Sequence, residues 1–131
     1  MTLIADTRLL VGFLDASDQY HEWAREQFDR IHGSLVTCEA VLAETEYLAQ
    51  GSGPRLMEMV RRGALQVEHL LPGEAQPLAV LMSKYPKMQL ADACIVRLSE
   101  ITPKAIVYTT DKRDFSVFRR KGKEVINTIT P

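Results

Sequence analysis

The chain has little of what would assign it at once to a specialised class. It has only two cysteines, Cys38 and Cys94, and neither lies in a CxxC pair or has metal-finger spacing, so both are predicted to be reduced core residues. The net charge is -1, which argues against a protein that coats nucleic acid by bulk electrostatics but allows a local basic patch. No apolar run approaches the roughly 18 residues needed to span a bilayer, and no signal peptide opens the chain. We therefore expect a soluble, cytoplasmic protein.

The length and the apolar content suit one domain with one core. Of the 131 residues, 46% are apolar, and the whole chain 1–131 is predicted to be a single domain. Short apolar runs alternate with helical patterns, which predicts an α/β fold with a mostly parallel sheet. Strands are predicted at 3–5, 35–37, 65–68, 105–109 and, as a possible last one, 125–129. Helices are predicted at 7–13, from a cap at Ser17 or Asp18 to about Ile31, at 39–49, at 55–62, from Pro72 to about Tyr85, and at 89–100.

Several acidic residues lie far apart in the chain, each where an apolar segment meets polar sequence. Carboxylates beside buried sequence are costly unless they are paired with cations or bind a metal, so their convergence would indicate a divalent metal site. They are Asp6 after the first strand, Glu44 inside the apolar run 40–48, Asp92 inside the apolar run 90–96, and the pair Asp111 and Asp114 after the strand 105–109.

The predicted fold offers a way to bring these acids together. In a parallel α/β sheet, functional groups gather in the crevice beyond the carboxyl ends of the strands. Asp6 and Asp111 follow predicted strands and occupy that position. Glu44 and Asp92 lie on predicted helices instead, and both could face the same crevice. On its helix, Asp92 takes a place where a core residue is expected.

The segments around these acids resemble the PIN-domain ribonucleases, and within them the VapC-like toxins of bacterial and archaeal toxin–antitoxin pairs. The resemblance covers nearly the whole chain. It implies a three-layer α/β/α sandwich on a mostly parallel sheet of four to five strands, a Mg²⁺ or Mn²⁺ site, and cleavage of RNA phosphodiester bonds. It also implies an antitoxin partner and a homodimer. The segments are 4–7 with 9–14, Thr37 with 41–44, 90–93, and 109–115.

The family's motifs also imply which acids act. A site of acidic side chains without histidine or cysteine favours Mg²⁺ or Mn²⁺ over Zn²⁺. Glu44 has two competitors nearby: Glu39 is interpreted as a first-turn charge that favours the helix dipole, and Glu46 as a solvated residue. The division of roles between Asp111 and Asp114 stays open. By match to the motifs, the metal-binding and catalytic candidates are Asp6, Glu44, Asp92 and Asp111, with Asp114 contributing through water.

Substrate binding leaves fainter traces. Thr7 and Thr109 either orient ligands or a phosphate by their hydroxyls, or simply cap local structure. The segment 112–124 carries six basic residues against two acids, and it either holds RNA phosphates or is a solvated surface run that Lys84 and Lys87 could extend. Trp23 and Phe28 either pack in the core or line a groove for a partner helix. The basic candidates for substrate binding are Lys112, Arg113, Arg119 and Arg120.

The leading hypothesis is a metal-dependent endoribonuclease whose toxicity a separate antitoxin holds in check. One alternative is a PIN fold that has lost catalysis and serves RNA binding or scaffolding. A receiver-like signalling domain is disfavoured, because Asp6 lacks an adjacent acid and no Asp occurs between Asp29 and Asp92. A phosphatase with an Asp nucleophile would want a second Asp two places later, where Arg8 stands.

Overall fold

Seven strands and seven helices alternate along the chain in the computed structural model, which describes residues 1–131. None of the helices combines the length and the apolar character needed to cross a bilayer. The strands are β1 (Thr2–Ala5), β2 (Leu35–Cys38), β3 (Leu65–Glu68), β4 (Ala105–Tyr108), β5 (Arg119–Arg120), β6 (Glu124–Val125) and β7 (Thr128–Ile129). The helices are α1 (Thr7–Leu14), α2 (His21–Arg30), α3 (Glu39–Leu48), α4 (Gly53–Arg61), α5 (Ala75–Lys84), α6 (Leu90–Ile101) and α7 (Lys112–Val117).

A five-stranded sheet in the order β3-β2-β1-β4-β7 forms the middle layer, and all of its neighbouring strands are parallel. In the central strand β1, Ile4 pairs with Val36 of β2 and with Val107 of β4. Successive side chains of a strand point to opposite faces, and both Ile4 and Ala5 are fully buried, so both faces of the sheet are covered. The prediction of an α/β/α sandwich on a mostly parallel sheet is confirmed.

Helix α6 lies at the centre of the packing. It contacts β1, β2 and β4 of the sheet and the helices α3 and α5. Ile95, Val96 and Leu98 are its largest fully buried side chains in the hydrophobic core. Cys38 and Cys94 are unpaired and buried in the same core, as the sequence predicted. Because α6 begins with the segment that carries Asp92, this packing fixes that acid relative to the ends of β1 and β4.

The second helix begins later than the sequence predicted. The carboxylate of Asp18 accepts a hydrogen bond from the Tyr20 N–H at 2.9 Å, and the Asp18 carbonyl accepts one from the His21 N–H at 3.1 Å. These bonds form a turn, and α2 starts only at His21. The prediction of a cap at Ser17 or Asp18 was therefore wrong, because an Asp side chain can bond the N–H two residues on in a turn as well as cap a helix.

The C-terminal segment differs most from the prediction. A single strand at 125–129 was expected, but Val125 belongs to the antiparallel hairpin β5–β6, and only Thr128–Ile129 joins the sheet. The hairpin is fixed to α6 because the Arg120 guanidinium donates to the Ser99 carbonyl at 2.9 and 3.1 Å. Helix α7 and the hairpin were not predicted at all, since segments of six and two residues are too short to establish a hydrophobic period.

Candidate metal centre at the carboxyl edge of the sheet

A polar pocket of about 220 Å³ opens where β1 and β4 end, and no hydrophobic residue lines it. All five predicted acids lie in its wall, together with the predicted Thr7. Thr109 and the predicted basic residues lie outside it. Arg8, Lys87 and Gln89 complete the wall, although the sequence did not assign them to the site. The lining residues are Asp6, Thr7, Arg8, Glu44, Lys87, Gln89, Asp92, Asp111 and Asp114.

Asp6 is the most deeply buried of these acids, with 2% of its surface exposed. It lies between β1 and α1, so its backbone serves both elements. Its N–H donates to the Tyr108 carbonyl at 3.2 Å, which continues the pairing with β4, and its carbonyl accepts the Leu10 N–H at 3.4 Å as the helix begins. The change from strand to helix therefore places the Asp6 carboxylate at the mouth of the sheet.

Thr109 connects Asp6 with the segment that follows β4. Its hydroxyl donates to Asp6 Oδ2 at 2.6 Å and accepts the Asp111 N–H at 2.9 Å. The residue is completely buried. Of the two roles that the sequence left open, the geometry contains both: the hydroxyl orients the Asp6 carboxylate, and it also accepts the N–H two residues on, as in a local cap.

Asp111 and Asp114 divide their roles through the start of α7. Asp111 is the residue before the helix, and its Oδ1 accepts the Asp114 N–H at 3.1 Å, so one carboxylate oxygen is used as a helix cap. Asp114 lies in the first turn and is exposed. Partial desolvation of its carboxyl, followed by the hydrogen bond with Asp111 and the charge of Asp111, raises the pKa of Asp114. Both side chains still face the pocket.

Helices α3 and α6 bring the remaining two acids. Asp92 lies in the first turn of α6, where its Oδ2 accepts the Gln89 N–H at 3.1 Å. Glu44 is half-buried on α3 and lines the pocket, while its two competitors in the sequence, Glu39 and Glu46, are exposed and lie outside it. Of these three glutamates, only Glu44 therefore lines the pocket.

Burial and mutual repulsion shift the pKa values of the acids in the pocket. Burial raises the pKa of Asp6 to about 7, and the charges of Asp92 and Asp111 raise it further. The hydrogen bond from Thr109 acts in the opposite direction and lowers it. Burial likewise raises the pKa of Asp92 to about 6, and the charge of Glu44 adds to the effect. None of the protein's five ion pairs includes an acid of the pocket.

The donor set fits a hard divalent cation. Every acid in the wall offers oxygen, and the buried Thr7 hydroxyl, also at the wall, has no hydrogen-bond partner. The side chains do not close into a cage, however, because no group of three or more acidic, histidine or cysteine residues is arranged to hold an ion. An open arrangement suits Mg²⁺, which usually keeps several waters and takes one or two carboxylates.

Replacement of Thr109 by Val is expected to lower the melting temperature by several degrees. It removes the hydrogen-bond donor to Asp6 and leaves the Asp111 N–H without its acceptor, at a cost of about 1–3 kcal/mol. Thr45→Val is the matched control, because Thr45 is equally buried and donates to the Val41 carbonyl at 2.7 Å, which keeps its helical bond. Thermal unfolding should show a clearly smaller loss for Thr45→Val. Equal losses would contradict a special role for Thr109.

The predicted basic residues have different surroundings. Arg119 donates to the carbonyls of Ser116 at 2.7 Å and Phe118 at 3.1 Å, and Arg120 pairs with Glu124 in addition to its bonds with Ser99. Both guanidinium groups are therefore already bound to groups of the protein. Lys112 and Arg113 are exposed in the first turn of α7, beside Asp111.

The sequence contains little that would assign the three other lining residues to the site. Arg8 directly follows Thr7 in the first motif, and Lys87 was considered only as an extension of the basic segment. Gln89 was predicted as the start of a helix, and its backbone holds Asp92. A residue that enters a pocket from a loop or from a helix end has no periodic pattern, so only its neighbours in the motif could have indicated it.

The second helix contributes to a groove rather than to this pocket. Phe28 lies against Phe13 with ring centroids 4.2 Å apart, and both line a groove of about 570 Å³ together with Arg55 and Arg62. Trp23 is half-buried and packs against the core. Of the two interpretations, packing describes Trp23, whereas Phe28 both packs and lines a groove.

The fold, the pocket and the comparisons agree on the family. Residues 3–123 match the PIN domain, and the chain belongs to that family. It is similar to Ribonuclease VapC26 of Mycobacterium tuberculosis, with 28% identity over 92% of this chain and 94% of that protein. It is also similar in structure to VapC20 of Mycobacterium tuberculosis, a sarcin-ricin loop cleaving toxin, with a TM-score of 0.67 and 19% identity over 86% of this chain and 92% of that chain. The resemblance to VapC-like PIN-domain ribonucleases is confirmed.

Proposed function

We propose that the protein is a metal-dependent endoribonuclease that hydrolyses RNA phosphodiester bonds and acts as the toxin of a toxin–antitoxin pair in the cytoplasm. The observation that carries this proposal is the pocket lined by five carboxylates, none of which has an ion-pair partner, in a chain of the PIN-domain family. The similarity to a protein named as a ribonuclease supports RNA as the substrate.

The chemistry of the donor set matches phosphodiester hydrolysis. When bound, Mg²⁺ or Mn²⁺ supplies a water of lowered pKa and neutralises the charge that develops on the phosphoryl oxygens. Asp6 and Asp92 would hold the ion, with Glu44 and Asp111 as further ligands and Asp114 acting through water. Thr109 would keep Asp6 in position through the 2.6 Å hydrogen bond to Oδ2.

The raised pKa values give the site a second property. Since the pKa of Asp6 is about 7 and that of Asp92 about 6, Asp6 is about half protonated near pH 7 and Asp92 only to roughly a tenth in the metal-free protein. A metal ion requires the deprotonated carboxylate, so its binding releases these protons and its affinity increases with pH. Lys112 and Arg113, exposed beside the pocket, would hold RNA phosphates near the site.

The purified protein is expected to cut RNA in the presence of Mg²⁺ or Mn²⁺ and to leave it intact in EDTA. The test compares gel profiles of a mixed tRNA and rRNA pool under the three conditions. Binding without cleavage would favour the alternative of a catalytically silent RNA-binding or scaffold protein. Cleavage that persists in EDTA would contradict the metal-dependent mechanism.

An antitoxin partner and a homodimer complete the proposal. The groove beside Phe28 suits a partner segment with apolar and acidic side chains, because Phe13 and Met59 line it with Arg55 and Arg62. The Arg55 guanidinium lies 5.9 Å from the centre of the Phe13 ring, so one end of the groove is both aromatic and cationic.

A further inference from the structure

Two cations in the wall of the carboxylate pocket have no partner elsewhere in the protein. Arg8 and Lys87 both line the pocket, and both are exposed. Neither belongs to any of the five ion pairs or to the two cation–π contacts. The arginines of the hairpin β5–β6, in contrast, are bound to protein groups. Arg8 and Lys87 are therefore the two free positive charges in the wall of the pocket, while Lys112 and Arg113 lie beside it.

The position of Arg8 is unfavourable for the helix that carries it. Arg8 lies in the first turn of α1, which contains no acidic residue. The N-terminus of a helix carries partial positive charge, so a cation there is unfavourable. Since Arg8 stabilises neither its own helix nor an ion pair, the charge is available for a ligand of the pocket.

Lys87 reaches the same pocket from a different element. It lies between α5 and α6, where the next residue, Met88, is buried in the core and fixes the connection. Lys87 and Asp114, which lies in the first turn of α7, both line the pocket. The two cations therefore border the acids from the start of α1 and from the loop before α6.

The charge balance of the wall explains why such cations are needed. Five carboxylates face two cations, so the wall has a formal charge of -3 when all acids are ionised. One divalent ion would reduce this to -1, and the wall would still repel a phosphodiester without a local positive charge. We propose that Arg8 and Lys87 form a phosphate clamp, which contacts the RNA phosphates nearest the bond that is cut; this rests on the proposed nuclease function.

The test measures RNA binding in EDTA, so that no cleavage occurs, over a series of salt concentrations. The probe is a fluorescent single-stranded oligoribonucleotide, and its dissociation constant is followed by anisotropy. For single strands, each phosphate contact contributes about -0.7 to the slope of the logarithm of the association constant against the logarithm of the salt concentration. Arg8→Met and Lys87→Met should each reduce the magnitude of this negative slope by about 0.7, and the double variant should reduce it by about 1.4.

Matched variants separate the clamp from general charge effects. Arg8→Lys and Lys87→Arg keep the charge and should keep the slope. Arg30→Met removes an exposed arginine of α2, far from the basic segment and outside the pocket, and should leave the slope unchanged. If wild type binds and cuts RNA with Mn²⁺ but the Met variants keep its slope, the clamp is wrong while the nuclease function stands. If wild type neither binds nor cuts RNA, both proposals fail.

Discussion

Replacement of Asp6 or Asp92 by Asn is expected to lower the rate of metal-dependent RNA cleavage by about 10³-fold. Asn keeps the size of the side chain and, at Asp6, an acceptor for the Thr109 hydroxyl, but it removes the negative charge that would hold the ion. A metal ion contributes several kcal/mol of transition-state stabilisation, and about 1.4 kcal/mol corresponds to a tenfold change in rate. The measurement is single-turnover cleavage of an oligoribonucleotide that wild type cuts.

The neighbours of Glu44 provide the matched controls for this result. Glu44→Gln should also reduce cleavage strongly, whereas Glu39→Gln and Glu46→Gln should leave it near the wild-type rate. All three are glutamates on α3, but only Glu44 lines the pocket. Cleavage that survives both Asp6→Asn and Asp92→Asn would move the active site away from this pocket. Equal losses for all three glutamine variants would indicate damage to α3 rather than loss of a ligand.

Part of this site could be predicted from the sequence because two of its acids come shortly after strand ends. Asp6 comes after β1, and Asp111 lies three residues beyond the end of β4, so the parallel pairing of these strands brings them to one edge. The strand β3 was predicted with its observed bounds, Leu65–Glu68. In each case a local pattern determines the element, and the rule for parallel sheets determines where the element's end lies.

The parts that could not be predicted depend on contacts between distant segments. The hydrogen bond from Thr109 to Asp6 joins residues 103 positions apart, so no spacing in the sequence indicates it. The same holds for the bonds that commit Arg120 to Ser99 and for the entry of Lys87 into the pocket. A basic run in a sequence shows where charge is, but only the fold shows which charges are already used.

The buried acids have a consequence for the stability of the protein without metal. Unfolding returns Asp6 and Asp92 to water, where a carboxyl of Asp titrates near 3.8, whereas in the folded protein the pKa values are about 7 and about 6. Between these values the folded state holds protons more tightly than the unfolded state does, so stability decreases as pH rises. The stability contributed by these groups is therefore fully present below about pH 4 and is lost progressively up to about pH 7.

In EDTA, the melting temperature is thus expected to fall by roughly 10–20 °C between pH 5 and pH 8. The estimate follows from a pKa shift of about three units for Asp6, equivalent to on the order of 4 kcal/mol, and from roughly 3–5 °C per kcal/mol for a domain of this size. Added Mn²⁺ should recover most of the loss at pH 8, because it binds only the native site. Differential scanning calorimetry across the pH series provides the measurement.

Asp6→Asn should weaken both the pH dependence of the melting temperature and its increase with Mn²⁺. Without the buried charge, the variant is expected to melt at a higher temperature than wild type at pH 8 in EDTA, to show a flatter pH profile, and to gain less from Mn²⁺. Asp29→Asn is the control, since Asp29 is exposed on α2 and should change neither property. If Asp6→Asn retains the full Mn²⁺ shift, the ion binds elsewhere. If the variant loses cleavage activity and melts at a higher temperature than wild type in EDTA, Asp6 stabilises the metal-bound protein and destabilises the metal-free one.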